Sequence, residues 1–175
     1  WLKINRNEEE AALKDLDKAI QIQPDFAEAH YVHGNIQYGF GEYAKAIADF
    51  DRALKADSMH YHALNLRAAA KMFSNHLEEA LADYNRLERL HPTEFDSHFD
   101  RANCYQLLGR HQECIAAFDQ ILKNDPNIIN AYLYRGVSKE ASGQAAAADA
   151  DYKKFVEWRS SERYSKKLDQ LHTAD

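Results

Sequence analysis

The chain has 175 residues, of which 45% are apolar and 29% charged, and a formal net charge of −6. That length supports a sizeable core, the acidic balance opposes non-specific binding to nucleic acid or an anionic membrane, and no apolar run approaches the roughly 20 residues that span a bilayer. Two cysteines are too few for a disulfide framework, so Cys104 and Cys114 are expected as free core thiols, in keeping with a reducing, intracellular (cytoplasmic) setting.

From the N-terminus, residues 1–26 place small Ala12 four residues before large Leu16 and end near Pro24, the pattern of one amphipathic helix and a break. In residues 27–60 a first helix runs to a break at Gly41. A second carries Tyr43, Ile47, Phe50 and Leu54 at intervals of 4, 3 and 4, an apolar stripe along one helical face. Residues 61–94, 95–128 and 129–162 repeat this helix pair without insertion or deletion, so that Pro92 and Pro126 stand 34 residues apart. The eighth place of each unit is small (Gly34, Ala68, Ala102, Gly136), and so is the twentieth (Ala46, Ala80, Cys114, Ala148). The twenty-fourth is large: Phe50, Tyr84, Phe118 and Tyr152. Small residues let two helix axes approach, and a large one fills the space beside them. Turn residues recur at the fifteenth place (Gly41, Asn75, Gly109, Gly143) and the thirty-second (Ser58, Pro92, Pro126, Ser160). In residues 163–175, Tyr164, Leu168 and Leu171 lie 4 and 3 apart among polar residues, the pattern of a capping helix laid over Phe155, Val156 and Trp158.

Over about residues 1–162 these columns resemble the tetratricopeptide repeat. The resemblance implies an all-α fold, a right-handed superhelical solenoid of antiparallel helix pairs with a C-terminal capping helix. Its parts would be a partial repeat over 1–26 (mostly its second helix), full repeats at 27–60, 61–94, 95–128 and 129–162, and the cap at 163–175. Trp1 falls at the ninth place of a repeat, and a repeat cannot bury its apolar face alone, so the native chain is expected to continue upstream. The chain departs from the family pattern at the fourth place (His30, Leu64, His98, Tyr132) and the seventh (His33, Arg67, Arg101, Arg135).

The resemblance also implies a concave groove lined by places 2, 5, 9 and 12 or 13 of the first helices, intervals that do share one helical face. Transferred to this sequence, that face is Glu28, Tyr31, Asn35 and Tyr38; His62, Asn65, Met72 and Phe73, with Ala69; Asp96, Phe99, Asn103 and Gln106; and Asn130, Leu133 and Glu140, with Val137. Asparagine and glutamine amides can satisfy the backbone of an extended peptide, and the aromatics supply apolar contact area. Ala69, Leu133 and Val137 suit packing between repeats equally well. No lysine or arginine shares these positions, so the expected ligand is a neutral or basic peptide.

Chaperone-binding family members clamp a C-terminal carboxylate with lysine and asparagine at 5 and 9, asparagine at 6, then lysine and arginine at 2 and 6. Here those places read Tyr31 and Asn35, Leu66, Asp96 and Asp100; one repeat later they read Asn65 and Ala69, Asp100, Asn130 and Tyr134. The clamp is absent. No phosphate-binding loop, nucleophile elbow or Cys-x-x-Cys pair occurs, and the nine histidines fall at packing or exposed places without zinc-ligand spacing. The expectation is a non-catalytic scaffold for another protein or peptide, with no cofactor, no metal, no nucleic acid and no membrane insertion. The alternative is a structural segment that self-associates, as a homodimer through its aromatic-rich solenoid ends. Finally, Arg67, Arg101 and Arg135 at the seventh place and Asp49, Asp83 and Asp151 at the twenty-third predict a ladder of ion pairs across helices.

Overall fold

The computed structural model describes residues 6–91 and 97–160, with Arg6 and Asn7 described by backbone alone. The capping helix expected over 163–175 lies outside them. The described residues form nine helices and no strand, in two compact units, Trp1–Ser97 and His98–Asp175. The first unit holds α1 (Arg6–Ile22), α2 (Ala27–Gly39), α3 (Tyr43–Ala56), α4 (Tyr61–Phe73) and α5 (Leu77–Leu90). The second holds α6 (His98–Leu107), α7 (His111–Asn124), α8 (Ile129–Ala141) and α9 (Ala145–Arg159). Neighbours along the chain pack together within each unit, and α2 also touches α4.

The turn within each helix pair closes the same way four times. Gly41, Asn75, Gly109 and Gly143 adopt φ of 78°, 64°, 69° and 80°. The residue after each sends its N–H five positions back: Glu42 to the Gln37 carbonyl at 2.9 Å, His76 to Lys71 at 2.8 Å, Arg110 to Tyr105 at 2.9 Å and Gln144 to Lys139 at 2.8 Å. This closure needs a left-handed residue, which glycine adopts freely and asparagine tolerates.

The core follows the small and large columns. Phe50, Tyr84 and Phe118 are fully buried, as are Ala46, Ala80 and Cys114. A Cβ added at Gly34 would lie 2.9 Å from the Phe50 ring, and one at Gly136 would lie 2.6 Å from the Tyr152 ring, so these two large residues pack close against the backbone of their own first helix. A further small column, Ala29, Ala63, Ser97 and Ala131, is buried at the third place. Ala12, in the twentieth-place column one repeat earlier, is exposed.

The predicted ion pairs form within repeats and continue between them. Arg67 donates from Nε and Nη2 to Asp83 at 2.8 and 2.6 Å, and from Nη1 to Asp51 of the preceding repeat at 2.6 Å. Lys71 adds a 2.9 Å hydrogen bond to Asp83. Arg135, Asp151, Asp119 and Lys139 reproduce the arrangement in the second unit. Asp49 pairs instead with His33 and Arg52. In the third repeat the twenty-third place is Ala117.

Candidate functional site

In the first unit, α2 and α4 lie side by side and bring the expected face residues into two groups. At one end the Tyr31 ring sits 4.8 Å from the His60 ring and 6.1 Å from that of His62. His60 Nδ1 accepts the Ala63 N–H at 3.2 Å and so caps α4. Its Nε2 therefore carries the proton, which points to Glu28 Oε2 at 3.3 Å. Burial, then the nearby Glu28 carboxylate, pushes the Tyr31 phenol above its usual range.

At the other end Tyr38, Tyr43 and Phe73 form an aromatic cluster. Tyr43 stacks on Phe73 with centroids 5.5 Å apart, and Tyr38 lies 5.6 Å from Tyr43 and 6.2 Å from Phe73. Phe73 is 57% exposed, an unusual state for a phenylalanine held by two neighbouring rings. Met72 beside it is half-buried. Between the two ends, Asn35 is exposed, and Asn65 is half-buried with an Oδ1 that meets neither water nor a hydrogen-bond partner among the described residues. Ala69 is buried in the core, which settles that position as packing.

In the second unit the same places are divided differently. Phe99 packs edge-on against Phe118 at 5.3 Å and Tyr134 at 5.4 Å, so much of its ring serves the core. Asn103, Gln106 and Leu133 are half-buried, Asn130 and Val137 are exposed, and Gln106 Oε1 has no partner among the described residues. Glu140 accepts a 2.7 Å hydrogen bond from the Tyr152 hydroxyl. Burial first, and then that bond, pushes the Tyr152 phenol up to about 12. Burial also raises the Asp100 carboxyl. Asp96 lies outside the described residues. No group of three or more histidine, cysteine or acidic side chains among the described residues could hold a metal ion.

Two participants were missed from sequence. Tyr43 opens a second helix rather than a first, and His60 ends a turn, so neither falls at an expected groove place. The carboxylates Asp17, Asp51 and Asp119 and the lysines Lys71 and Lys139 were missed too, although each set recurs at multiples of 34 residues.

Family models described as tetratricopeptide repeat match residues 4–61, 31–70 and 95–128. The nine helices superpose on a crystal structure of MamA with a TM-score of 0.85 over 92% of this chain and 93% of that one, at 20% identity. They also superpose on YrrB, described as a TPR protein with an unusual peptide-binding site, with a TM-score of 0.82 over 94% and 84% of the two chains at 21% identity. Among curated proteins, human superkiller complex protein 3 is 27% identical over 112 residues, 64% of this chain; the match spans only 7% of that relative's length. The chain belongs to the tetratricopeptide repeat family. Its fold is that of a protein–protein interaction scaffold built of helix pairs.

Proposed function

We propose that the chain binds an extended, neutral or basic peptide segment of another protein along the first helices of its repeats, and catalyses no reaction. The observation that carries this reading is the aromatic cluster in which exposed Phe73 is held by half-buried Tyr38 and Tyr43, with Asn35 and Asn65 on the same first helices as Tyr38 and Phe73. Exposed aromatics of this kind carry much of the energy at interfaces, and the amides supply the donors and acceptors that a strandless peptide backbone needs. The peptide-binding site described for YrrB, a protein of the same fold, supports the choice of ligand. Glu28 in the first unit and Glu140 in the second are acidic, which favours a basic or neutral partner, and Asn103, Gln106 and Asn130 offer further amides in the second unit. Aspartates at Asp96 and Asp100, where the clamp needs cations, argue against an acidic C-terminal tail. The buried thiols of Cys104 and Cys114 fit a reducing, intracellular setting.

The test is fluorescence anisotropy with a panel of short labelled peptides matched in length and varied in charge and aromatic content. Basic or neutral peptides should bind, and Phe73→Ala and Asn35→Ala should weaken them while helical circular dichroism is unchanged. Tighter binding of acidic peptides, or binding indifferent to both substitutions, would overturn the reading.

A further inference from the structure

We propose that the junction of α1 with the helices after it is a pH-responsive bridge centred on His33. The seventh place holds a permanently charged arginine in the three later repeats, Arg67, Arg101 and Arg135. Arg67 and Arg135 each join a carboxylate of the preceding repeat to one of their own: Asp51 to Asp83, and Asp119 to Asp151. His33 stands between the corresponding pair. Its Nδ1 is 2.7 Å from Asp49 Oδ2 on α3, and its Nε2 is 3.6 Å from Asp17 Oδ1 on α1.

A neutral imidazole has a single N–H. The short contact to Asp49 takes it, which leaves the Nε2 lone pair directed at the Asp17 carboxylate. Adding a proton converts that opposed contact into a second donor and makes His33 the equivalent of the arginines.

The other groups around Asp49 point the same way. His30 on α2 donates from Nε2 to the Pro24 carbonyl at 2.8 Å, so its buried Nδ1 faces Asp49 Oδ1 at 4.0 Å with no hydrogen of its own. Arg52 on α3 reaches Asp49 Oδ1 at 2.9 Å from an exposed position. Where Lys71 and Lys139 reinforce the other junctions, this repeat has Gln37. Asp49 thus lacks the second permanent cation that Asp83 and Asp151 enjoy.

A protonated His33 donates to both carboxylates and a neutral one to Asp49 alone, so α1 is held more firmly in mild acid. The junctions built on Arg67 and Arg135 do not respond over this interval.

Hydrogen exchange of the intact chain, corrected for intrinsic rates, reads the effect as protection of α1 amides relative to those of α5. Comparing about pH 5.5 with about pH 7.5, either side of the ordinary histidine value near 6.5, relative protection of α1 should be roughly fivefold greater in acid, the change one half-exposed ion pair supports. His33→Arg should give high protection at both values. Asp17→Asn, at an exposed side chain where folding is not at risk, should abolish the response. A wild-type ratio that does not change with pH, or a response that survives in Asp17→Asn or in His33→Arg, would overturn the proposal.

Discussion

Arg67 grips Asp83 with two parallel hydrogen bonds, 2.8 and 2.6 Å long, while the third corner of its guanidinium reaches back to Asp51. Burial alone would lower the arginine's pKa, yet the hydrogen bonds to Asp83 and Asp51 raise it. One side chain therefore ties two second helices to the first helix between them. Arg67→Leu should cost about 2–3 kcal/mol, below the 3–5 kcal/mol of a fully buried pair because Lys71 still faces Asp83. Urea denaturation measures this. Arg67→Leu combined with Asp83→Leu should recover part of the loss, since two apolar groups leave no uncompensated charge.

Acid should weaken the equivalent network of the second unit. Burial would raise the Asp151 carboxyl, but hydrogen bonds from Arg135 and Lys139 outweigh it and hold the group below the usual carboxylate range. A depressed carboxylate contributes stability that is present above its unfolded value near 3.9 and lost as pH falls through its folded value. The stability difference between wild type and Asp151→Asn should accordingly be constant around neutrality and shrink below about pH 3.9. Thermal denaturation of both proteins at a series of pH values checks it, and a difference that grows in acid would contradict the sign.

Gly136 tests the close approach of large residue to backbone. An alanine there would bring its Cβ 2.6 Å from the Tyr152 ring, whose hydroxyl is also held by Glu140. Overpacking of this kind costs about 1–3 kcal/mol. The ring must shift, so the Tyr152–Glu140 hydrogen bond should lengthen in a crystal structure of Gly136→Ala.

Phe50 and Phe73 separate core from ligand face. Phe50 is fully buried, and its change to alanine should cost about 3–5 kcal/mol. Phe73→Ala, at an exposed position, should shift stability by no more than about 1 kcal/mol. Denaturation midpoints of the two variants decide the assignment, and comparable losses would place Phe73 in the core.

The fold was legible because a repeat prints each packing relation four times. Gly34 and Phe50, or Gly136 and Tyr152, are sixteen residues apart in every unit, so their contact could be expected before it was seen. The ion pairs were visible as columns, but spacing does not say whether they close within a repeat or between neighbours; Arg67 meets Asp83 of its own repeat, and its second partner, Asp51, stands in a column that was not singled out. The ligand face was less legible. Helical phase places Phe99 and Phe73 on the same side of their helices, yet the first leans on Phe118 while the second stands in solvent beside Tyr43. That difference depends on the neighbouring helices, which a column of single positions does not describe.

Ser138 donates a 3.0 Å hydrogen bond to Cys114 Sγ inside the second unit, where Cys104 is also buried. Burial raises both thiols, Cys104 to about 12, so neither supplies thiolate at neutral pH. The two are the chain's whole complement of cysteine, and the first unit has none. Alkylation by a thiol reagent is therefore a clock that runs only when the second unit opens. Its rate reads the opening of the helices that enclose Cys104 and Cys114, without any engineered probe.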